Sequence, residues 1–308
     1  MRAKPVFSVV AIVSLALGIG ANTAIFSIVE SALLRSLPFG NPDRLVAIGE
    51  HQPCCDLVSL SPGEYHDYKQ QAKSFQDIAA MAWQNLTLTG SAEAQVVLGR
   101  SVTTNFFEVL GAHAQIGRLM SSRLDKPGSD NRVAVISDGF WRSRFAANPR
   151  ILGSTLTLNG KPFTVIGVLA AHEEYPTDVL IWVSPRVGVP EFAEGAMQDM
   201  NISQTYGNHW LMGLGKLRSG VPLPTARAEM RTIAERIDAA HNEPGHWAVL
   251  APLQSTLVYS IRPALAVLGT AVVILLLIAC ANLIGLMMAR ATGRRRELAI
   301  RLAIGANR

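Results

Sequence analysis

Two long apolar runs bracket a polar middle section of the chain. No charged residue occurs from Pro5 to Val29, a run of 25 residues, or from Pro263 to Ala289, a run of 27. A helix needs ~20 apolar residues to cross the hydrocarbon core of a bilayer. The pattern therefore predicts a first transmembrane helix within residues 1–34 and a second one over residues 263–289. The first run exceeds the ~7–15 residues of a signal-peptide core, which favours an uncleaved anchor over a cleaved leader.

Between the runs, residues 35–262 carry alternating strand-like and helix-like patterns. Ser61 to Glu64 has the spacing of a capping box and predicts a helix that extends to about Lys73. Asn159-Gly160 joins two β-rich arms and predicts a tight hairpin. An apolar stripe at helical spacing predicts a helix over residues 224–240 and consists of Ala226, Met230, Ile233 and Ile237. A second helix is predicted after Ser137, and further strands at 45–48, 85–89, 95–98, 132–137, 180–184 and 210–217. The section is expected to fold as a mixed α+β domain.

Both apolar runs carry small residues at four-residue spacing. Such faces allow two helix backbones to approach closely in lipid, where a polar amide also finds a partner on a neighbouring helix. The pattern predicts that the two helices pack within a larger bundle. The predicted packing residues are Ala16, Gly20, Asn22 and Ala24 in the first run and Ala281, Asn282, Gly285 and Ala289 in the second.

The positive net charge of +5 is confined to the chain ends. Residues 35–262 hold 20 basic and 21 acidic side chains, whereas the tail from Arg290 holds six arginines and one glutamate. Basic residues that flank membrane helices remain on the cytoplasmic side. This distribution predicts that both termini are cytoplasmic and that the large domain lies outside. It also argues against a nucleic-acid partner, because the folded domain has no excess of positive charge.

The sequence contains no complete catalytic or metal-binding motif and therefore does not indicate an enzyme. His241 and His246 are five residues apart with proline and glycine between them, whereas a zinc helix needs histidines one turn apart. Gly213-Leu-Gly215-Lys216 lacks both the first glycine and the final hydroxyl residue of a phosphate-binding loop. No nucleophile elbow occurs either. We therefore expect no catalytic residue, no cofactor and no metal.

The segment from Gly293 to Arg308 is basic and, if helical, amphipathic. Arg294, Glu297 and Arg301 would share one face, with the glutamate in the favoured position four residues before the arginine. The pattern leaves two alternatives open. The segment is either a basic flank on anionic lipid, where each Lys or Arg contributes ~1 kcal/mol, or a helix that docks on a cytoplasmic partner. Gly305 indicates a turn with more chain beyond it.

The stretch ARATGRRRELAIRLAIGANR resembles the junction after the second membrane helix of MacB-like/FtsX-like ABC transporter permeases. Matches to that junction include Arg294, Arg296, Glu297, Ile300 and Arg301. LLLIACANLIGLMMARA and LGIGANTAIFSIVESALLRSLPFGNPDRLV resemble the two membrane helices of duplicated permeases common in acidobacteria. VTTNFFEVLGAHAQIGR, VAVISDGFWRSRF and STLTLNGKPFTVIGVL resemble landmarks of the MacB-like periplasmic core. The resemblance covers essentially the whole chain.

The resemblance implies an α+β membrane protein of the bacterial inner membrane, with a periplasmic domain at residues 35–262. This domain would consist of a porter subdomain and a sabre subdomain, and the sabre would be inserted at about residues 112–200. Residues 290–308 would begin the FtsX-like permease domain, and Arg294, Arg296, Glu297, Ile300, Arg301 and Ile304 would contact a cytoplasmic ATP-binding subunit. ATP hydrolysis by that subunit would drive periplasmic motion for export, by mechanotransmission. A periplasmic partner is also compatible with this family. Because the family half-unit has four membrane helices, the chain is expected to be the front part of a permease. The alternative is a membrane-anchored periplasmic scaffold or sensor without an ATPase.

Overall fold

The computed structural model describes residues 37–52, 55–90, 94–125, 132–186, 188–191, 205–241, 247–259 and 262–303, together with positions 16, 19, 20, 22, 23 and 27. The chain divides into two compact units. One unit comprises Leu37–Thr256, and the other comprises Met1–Ser36 with Leu257–Arg308. The first unit lies within the section between the apolar runs, and the domain bounds expected from the sequence stay a prediction.

The described part of the Leu37–Thr256 unit contains one sheet of eleven strands. The strands are β1 (Leu45–Gln52), β2 (Cys55–Val58), β3 (Phe75–Thr89), β4 (Gln95–Val102), β5 (Ala114–Gly117), β6 (Val133–Ile136), β7 (Thr155–Leu158), β8 (Lys161–Leu169), β9 (Ile181–Val183), β10 (Leu211–Leu217) and β11 (Trp247–Pro252). The helices are α1 (Pro62–Gln71), α2 (Phe106–Leu110), α3 (Asp138–Phe145) and α4 (Leu223–His241), followed by α5 (Leu253–Tyr259) after β11. The prediction of a mixed α+β domain is confirmed.

The strand order brings the two ends of this unit together. The order is β11-β1-β10-β3-β4-β9-β6-β8-β5, with β2 beside β1, and β7 beside β8 and β3. Neighbours are antiparallel except for the parallel pairs β4/β9 and β6/β8. Val46, near the start of β1, pairs with Pro252 at the end of β11. The chain thus enters and leaves the sheet on adjacent strands.

Among the described residues, two hydrophobic cores support the sheet. The first lies between the strands β1, β3, β10 and β11 and the helices α1 and α4, and includes Tyr68, Met230 and Ile233. The second joins the far ends of β3 and β4 to residues 134–183, with Phe140 and Trp141 of α3. Most of the second core comes from within the predicted sabre insertion at about 112–200. The boundaries of the porter and sabre parts stay a prediction.

The elements with strong local signals form as predicted. Ser61 caps α1 reciprocally, because its Oγ accepts from the Glu64 amide and its own amide donates to Glu64 Oε2 at 2.7 Å. The helix ends at Gln71, two residues before the predicted end. Asn159 and Gly160 both have positive φ, at 49° and 75°, as a primed hairpin turn requires. The stripe of α4 is buried as predicted.

Strand β3 is much longer than its sequence pattern predicts. The prediction covered residues 85–89, whereas the strand begins at Phe75 and runs for 15 residues. Five consecutive residues from Ile78 to Ala82 are buried, because both faces of this central strand are covered. Two-sided burial removes the alternation of polar and apolar residues by which strands are recognised.

The remaining unit contains α6, which runs from Arg262 to Ala303 over 42 residues. The six described positions of the first apolar run are helical as well. Among the residues that the structure describes, no helix meets the combined length and hydropathy that define a membrane span. The two transmembrane helices therefore stay a prediction.

Candidate functional site

The predicted packing residues lie on helical segments where they are described. Ala16 and Gly20 are exposed and Asn22 is half-buried, while Ala24 lies outside the described residues. On α6, Ala281, Asn282 and Gly285 are exposed, and the backbone of Ala289 is helical. No described atom from beyond the local helix lies within 4 Å of a Cβ placed at Gly20 or at Gly285. The packing prediction thus stays untested.

The predicted coupling segment is the last part of α6. Arg294, Arg296, Glu297, Ile300 and Arg301 follow the second apolar run in the same helix without a break. The side chain of Ile300 is 52% exposed. Ile304 lies outside the described residues. Helical spacing places Arg294, Glu297 and Arg301 on one face, as the sequence predicts for a helical segment.

A second site, which the sequence did not reveal, lies in the Leu37–Thr256 unit. It contains the carboxylates of Glu50 and Glu64 and the imidazole of His209. His209 Nε2 lies 3.0 Å from Glu50 Oε2 and 3.4 Å from Glu64 Oε2. The Glu50 side chain is fully buried, that of Glu64 is 6% exposed and that of His209 is 14% exposed. We call these three residues the Glu-His-Glu cluster.

Three different elements bring the Glu-His-Glu cluster together. Glu50 lies in β1, and Glu64 lies in the first turn of α1, where the capping box with Ser61 fixes it. His209 precedes β10, beside a backbone bridge between Leu60 and Leu211 whose amides and carbonyls bond in both directions. The bridge places the start of α1 next to the approach to β10. The cluster is therefore a product of tertiary structure.

Burial and mutual contact shift the pKa of each group in the cluster. The ion pairs with Glu50 and Glu64 outweigh burial and raise the pKa of His209 to about 10. Burial, reinforced by the nearby Glu64 carboxylate, raises the pKa of Glu50. Burial would also raise the pKa of Glu64, but hydrogen bonds from His209 and from Ser61 outweigh it and lower that pKa. Burial thus disfavours the charged form of Glu50, whereas the hydrogen bonds from His209 and Ser61 favour the charged form of Glu64.

The chemistry of the cluster is that of a metal-ligand set. One imidazole nitrogen and two carboxylate oxygens lie within 4.8 Å of one another, and this is the only such group of three among the residues the structure describes. Imidazole together with carboxylate suits zinc and other first-row divalent ions. One partial signal for this site was visible in the sequence, namely the capping box that fixes Glu64. His209 had none, since its partners are 145 and 159 positions away.

The chain is similar to one known domain family and to several solved structures. Residues 8–233 match the family model described as the MacB-like periplasmic core domain. A permease-protein domain from Porphyromonas gingivalis aligns with a TM-score of 0.52 and 15% identity, over 70% of this chain and 93% of that one. The periplasmic region of MacB from Actinobacillus actinomycetemcomitans aligns with a TM-score of 0.47 and 16% identity, over 73% and 94%.

The extracellular domain of the noncanonic ABC-type transporter YknZ from Gram-positive bacteria gives a TM-score of 0.45 and 14% identity, over 67% of this chain and 99% of that one. No match is found among curated proteins. The family match covers well over half of the residues, and ten of the eleven described strands lie within it. The chain belongs to the family of MacB-like periplasmic core domains, which are the periplasmic parts of MacB-like ABC transporter permeases.

Proposed function

We propose that the chain is a permease subunit of a MacB-like ABC transporter, anchored in the bacterial inner membrane by its two apolar runs. MacB-like permeases work with ATP-binding subunits in ABC transporters. In this proposal a cytoplasmic ATP-binding subunit contacts the coupling segment, and its cycle of ATP hydrolysis moves the membrane helices. The periplasmic domain follows by mechanotransmission and drives export. The chain works as a dimer or with a second permease half.

The surface of α6 is the observation that carries the proposal. Large apolar side chains are exposed on every side of this helix between positions 267 and 288, which a water-facing helix would not tolerate. The helix is about 63 Å long at 1.5 Å per residue, about twice the thickness of a bilayer core. The helix is therefore long enough to cross a bilayer core and to extend beyond it as far as the basic segment. The exposed residues include Val267, Val273, Ile274, Leu277, Ile284, Met287 and Met288.

The pairing of β1 with β11 supports mechanotransmission. The first apolar run leads into β1, and β11 leads through α5 into α6. The two strands are hydrogen-bonded over six residue pairs, from Val46 with Pro252 to His51 with Trp247. A displacement of either run would act on one of two directly bonded strands. The sheet is therefore suited to respond as one body to motion of the helices.

Recovery of the ATP-binding subunit tests the proposal. The tagged chain is purified in detergent from membranes of its host, and co-purifying ABC ATP-binding subunits are quantified by mass spectrometry. Reversing the charges of Arg294, Arg296 and Arg301 to Glu is expected to reduce their recovery at least ~10-fold, since a few charged contacts supply 1–3 kcal/mol. A control variant reverses the exposed Arg231 and Arg236 of α4. Equal recovery from both variants would refute the proposed role of the segment.

The same experiment separates the permease from an anchored scaffold. A scaffold or sensor without an ATPase would recover no ATP-binding subunit even as wild type. It would also remain at the membrane after charge reversal. The permease requires both the wild-type interaction and its loss on reversal.

A further inference from the structure

We propose that the Glu-His-Glu cluster binds one divalent transition metal ion, with Zn²⁺ as the best fit. The proposal concerns the Leu37–Thr256 unit alone and is independent of the proposed transport function. Its ligands are a carboxylate oxygen from Glu50, a carboxylate oxygen from Glu64 and Nε2 of His209. Three protein ligands are the number found in zinc sites that keep a further position for water.

The spacing of the ligand atoms fits a tetrahedral metal. Bonds of ~2.0–2.1 Å in a tetrahedral site separate the ligand atoms by ~3.3–3.4 Å. The two distances from His209 Nε2, 3.0 Å to Glu50 and 3.4 Å to Glu64, flank this value. For these two pairs, shifts of a few tenths of an ångström would accommodate the ion, and the third pair of ligand atoms lies within 4.8 Å.

Charge balance favours a divalent ion at this position. Two carboxylates that are 0% and 6% exposed face a single imidazole. Buried charges are stable only when they are paired or coordinate a metal. A protonated His209 supplies one positive charge for two carboxylates. A divalent cation supplies two, and it leaves the imidazole neutral, which is the form that binds metals.

A supporting shell holds one ligand in place. Glu64 Oε2 accepts hydrogen bonds from the Ser61 amide at 2.7 Å and from Ser61 Oγ at 2.8 Å. Carboxylate ligands in metal sites are commonly oriented by such partners. Glu64 is also part of a helical turn, so its backbone is fixed before any metal binds. His209 is the most exposed ligand, at 14%, and it marks the side from which an ion would enter.

The bound ion would join three elements that are distant in sequence. It would connect β1, the first turn of α1 and the approach to β10, all of which border the first core. Of these, β1 is the strand that pairs directly with β11. The ion would thus stiffen the sheet where the chain enters and leaves it.

Direct measurement of metal binding tests the proposal. The full chain, carrying a tag without histidines, is purified in detergent, stripped with a chelator and titrated with ZnCl₂ by calorimetry. One zinc per chain is expected, together with a higher unfolding temperature in ZnCl₂ than in chelator. Loading with CoCl₂ should give the intense visible absorption of tetrahedral cobalt. Absence of stoichiometric zinc binding by the folded wild-type chain would overturn the proposal.

Variants locate the ion. Glu50→Gln preserves the shape of the side chain and is expected to weaken zinc binding at least ~100-fold, and Ser61→Ala should weaken it ~10–100-fold by releasing Glu64. The matched controls His66→Gln and Glu235→Gln alter exposed side chains and should bind zinc as wild type does. Circular dichroism confirms that each variant is folded. If Glu50→Gln fails to fold, the conclusion rests on Ser61→Ala. Wild-type zinc affinity in the variant that is used would show that the zinc binds at another site.

Discussion

A methyl group added at Gly213 should destabilise the Leu37–Thr256 unit. Gly213 lies in β10, the strand between β1 and β3, where it pairs with Ile48 and with Ala80. A Cβ at this position would stand 2.8 Å from the carbonyl oxygen of Ile48, 2.9 Å from its Cβ and 3.0 Å from Leu60 Cδ1. The first contact is with the main chain of a paired strand, and the second is with the Cβ attached directly to that main chain. The overlap with the added Cβ can therefore be relieved only if β1 moves away from β10.

The size of the effect follows from two opposing terms. Insertion of a methyl group into a well-packed site costs about 1–3 kcal/mol. Replacement of glycine by alanine within a strand recovers about 0.5–1 kcal/mol, because the unfolded chain loses conformational freedom. Because two contacts are shorter than 3.0 Å, the cost should lie in the upper half of its range, and we expect Gly213→Ala to lower the free energy of unfolding by about 1–2.5 kcal/mol. In a domain of this size the melting temperature would fall by about 2–10 °C.

Thermal unfolding of the full chain in detergent, followed by circular dichroism, measures this shift. Gly139→Ala is the matched control, since Gly139 lies in α3 and nothing is found within 4 Å of its added Cβ. The control should melt at the wild-type temperature or slightly above it, owing to the helix propensity of alanine. If Gly213→Ala melted at or above the wild-type temperature, the close approach of β1 to β10 would not constrain this position.

Three further predictions use the same melting assay. Met230→Ala leaves a cavity in the first core beneath α4 and should cost about 2–5 kcal/mol; a loss below 1 kcal/mol would contradict tight packing there. Asn159→Ala removes the side-chain oxygen that accepts a hydrogen bond from a backbone amide of β3 at 2.8 Å, and it places alanine at a φ of 49°. The free energy of unfolding is therefore expected to fall by roughly 1–3 kcal/mol. Burial would raise the pKa of Glu229, but hydrogen bonds from Ser74 and Lys73 outweigh burial and lower it. Because its folded pKa is lowered, Glu229 should stabilise the fold above pH 4.5 and lose this effect as the pH falls through the lowered value. The difference in melting temperature between wild type and Glu229→Gln should therefore vanish in acid, and a constant difference would refute the assignment.

The elements predicted correctly from the sequence are those decided by neighbouring residues. The capping box at Ser61 needs only a hydroxyl and a glutamate three positions later, and both hydrogen bonds form. Asn159 and Gly160 are among the few residues that tolerate left-handed backbone, so they specify the hairpin by themselves. The stripe of α4 is visible because the opposite face of that helix remains in water. In each case the deciding interaction lies within a few residues.

The features that escaped prediction depend on contacts between distant parts of the chain. The first half of β3 carries no alternation because neighbouring elements cover both of its faces. Gly213 and Gly215 lie in β10, where the sequence predicts a strand, but the sequence does not show why these two positions are glycine. A Cβ at Gly215 would stand 2.5 Å from the ring of Phe75, so close packing accounts for the glycine. The Glu-His-Glu cluster likewise depends on the bridge between Leu60 and Leu211.

The two proposals can fail separately, because their residues lie in different compact units. Charge reversal at Arg294, Arg296 and Arg301 should reduce recovery of the ATP-binding subunit without altering zinc stoichiometry. Glu50→Gln should weaken zinc binding at least ~100-fold, and it leaves the coupling segment intact. If Glu50→Gln also impaired export while the ATP-binding subunit was still recovered, the metal would be required for the response of the periplasmic sheet. If export were unchanged, the ion would serve stability alone, and motion would pass through the hydrogen bonds between β1 and β11.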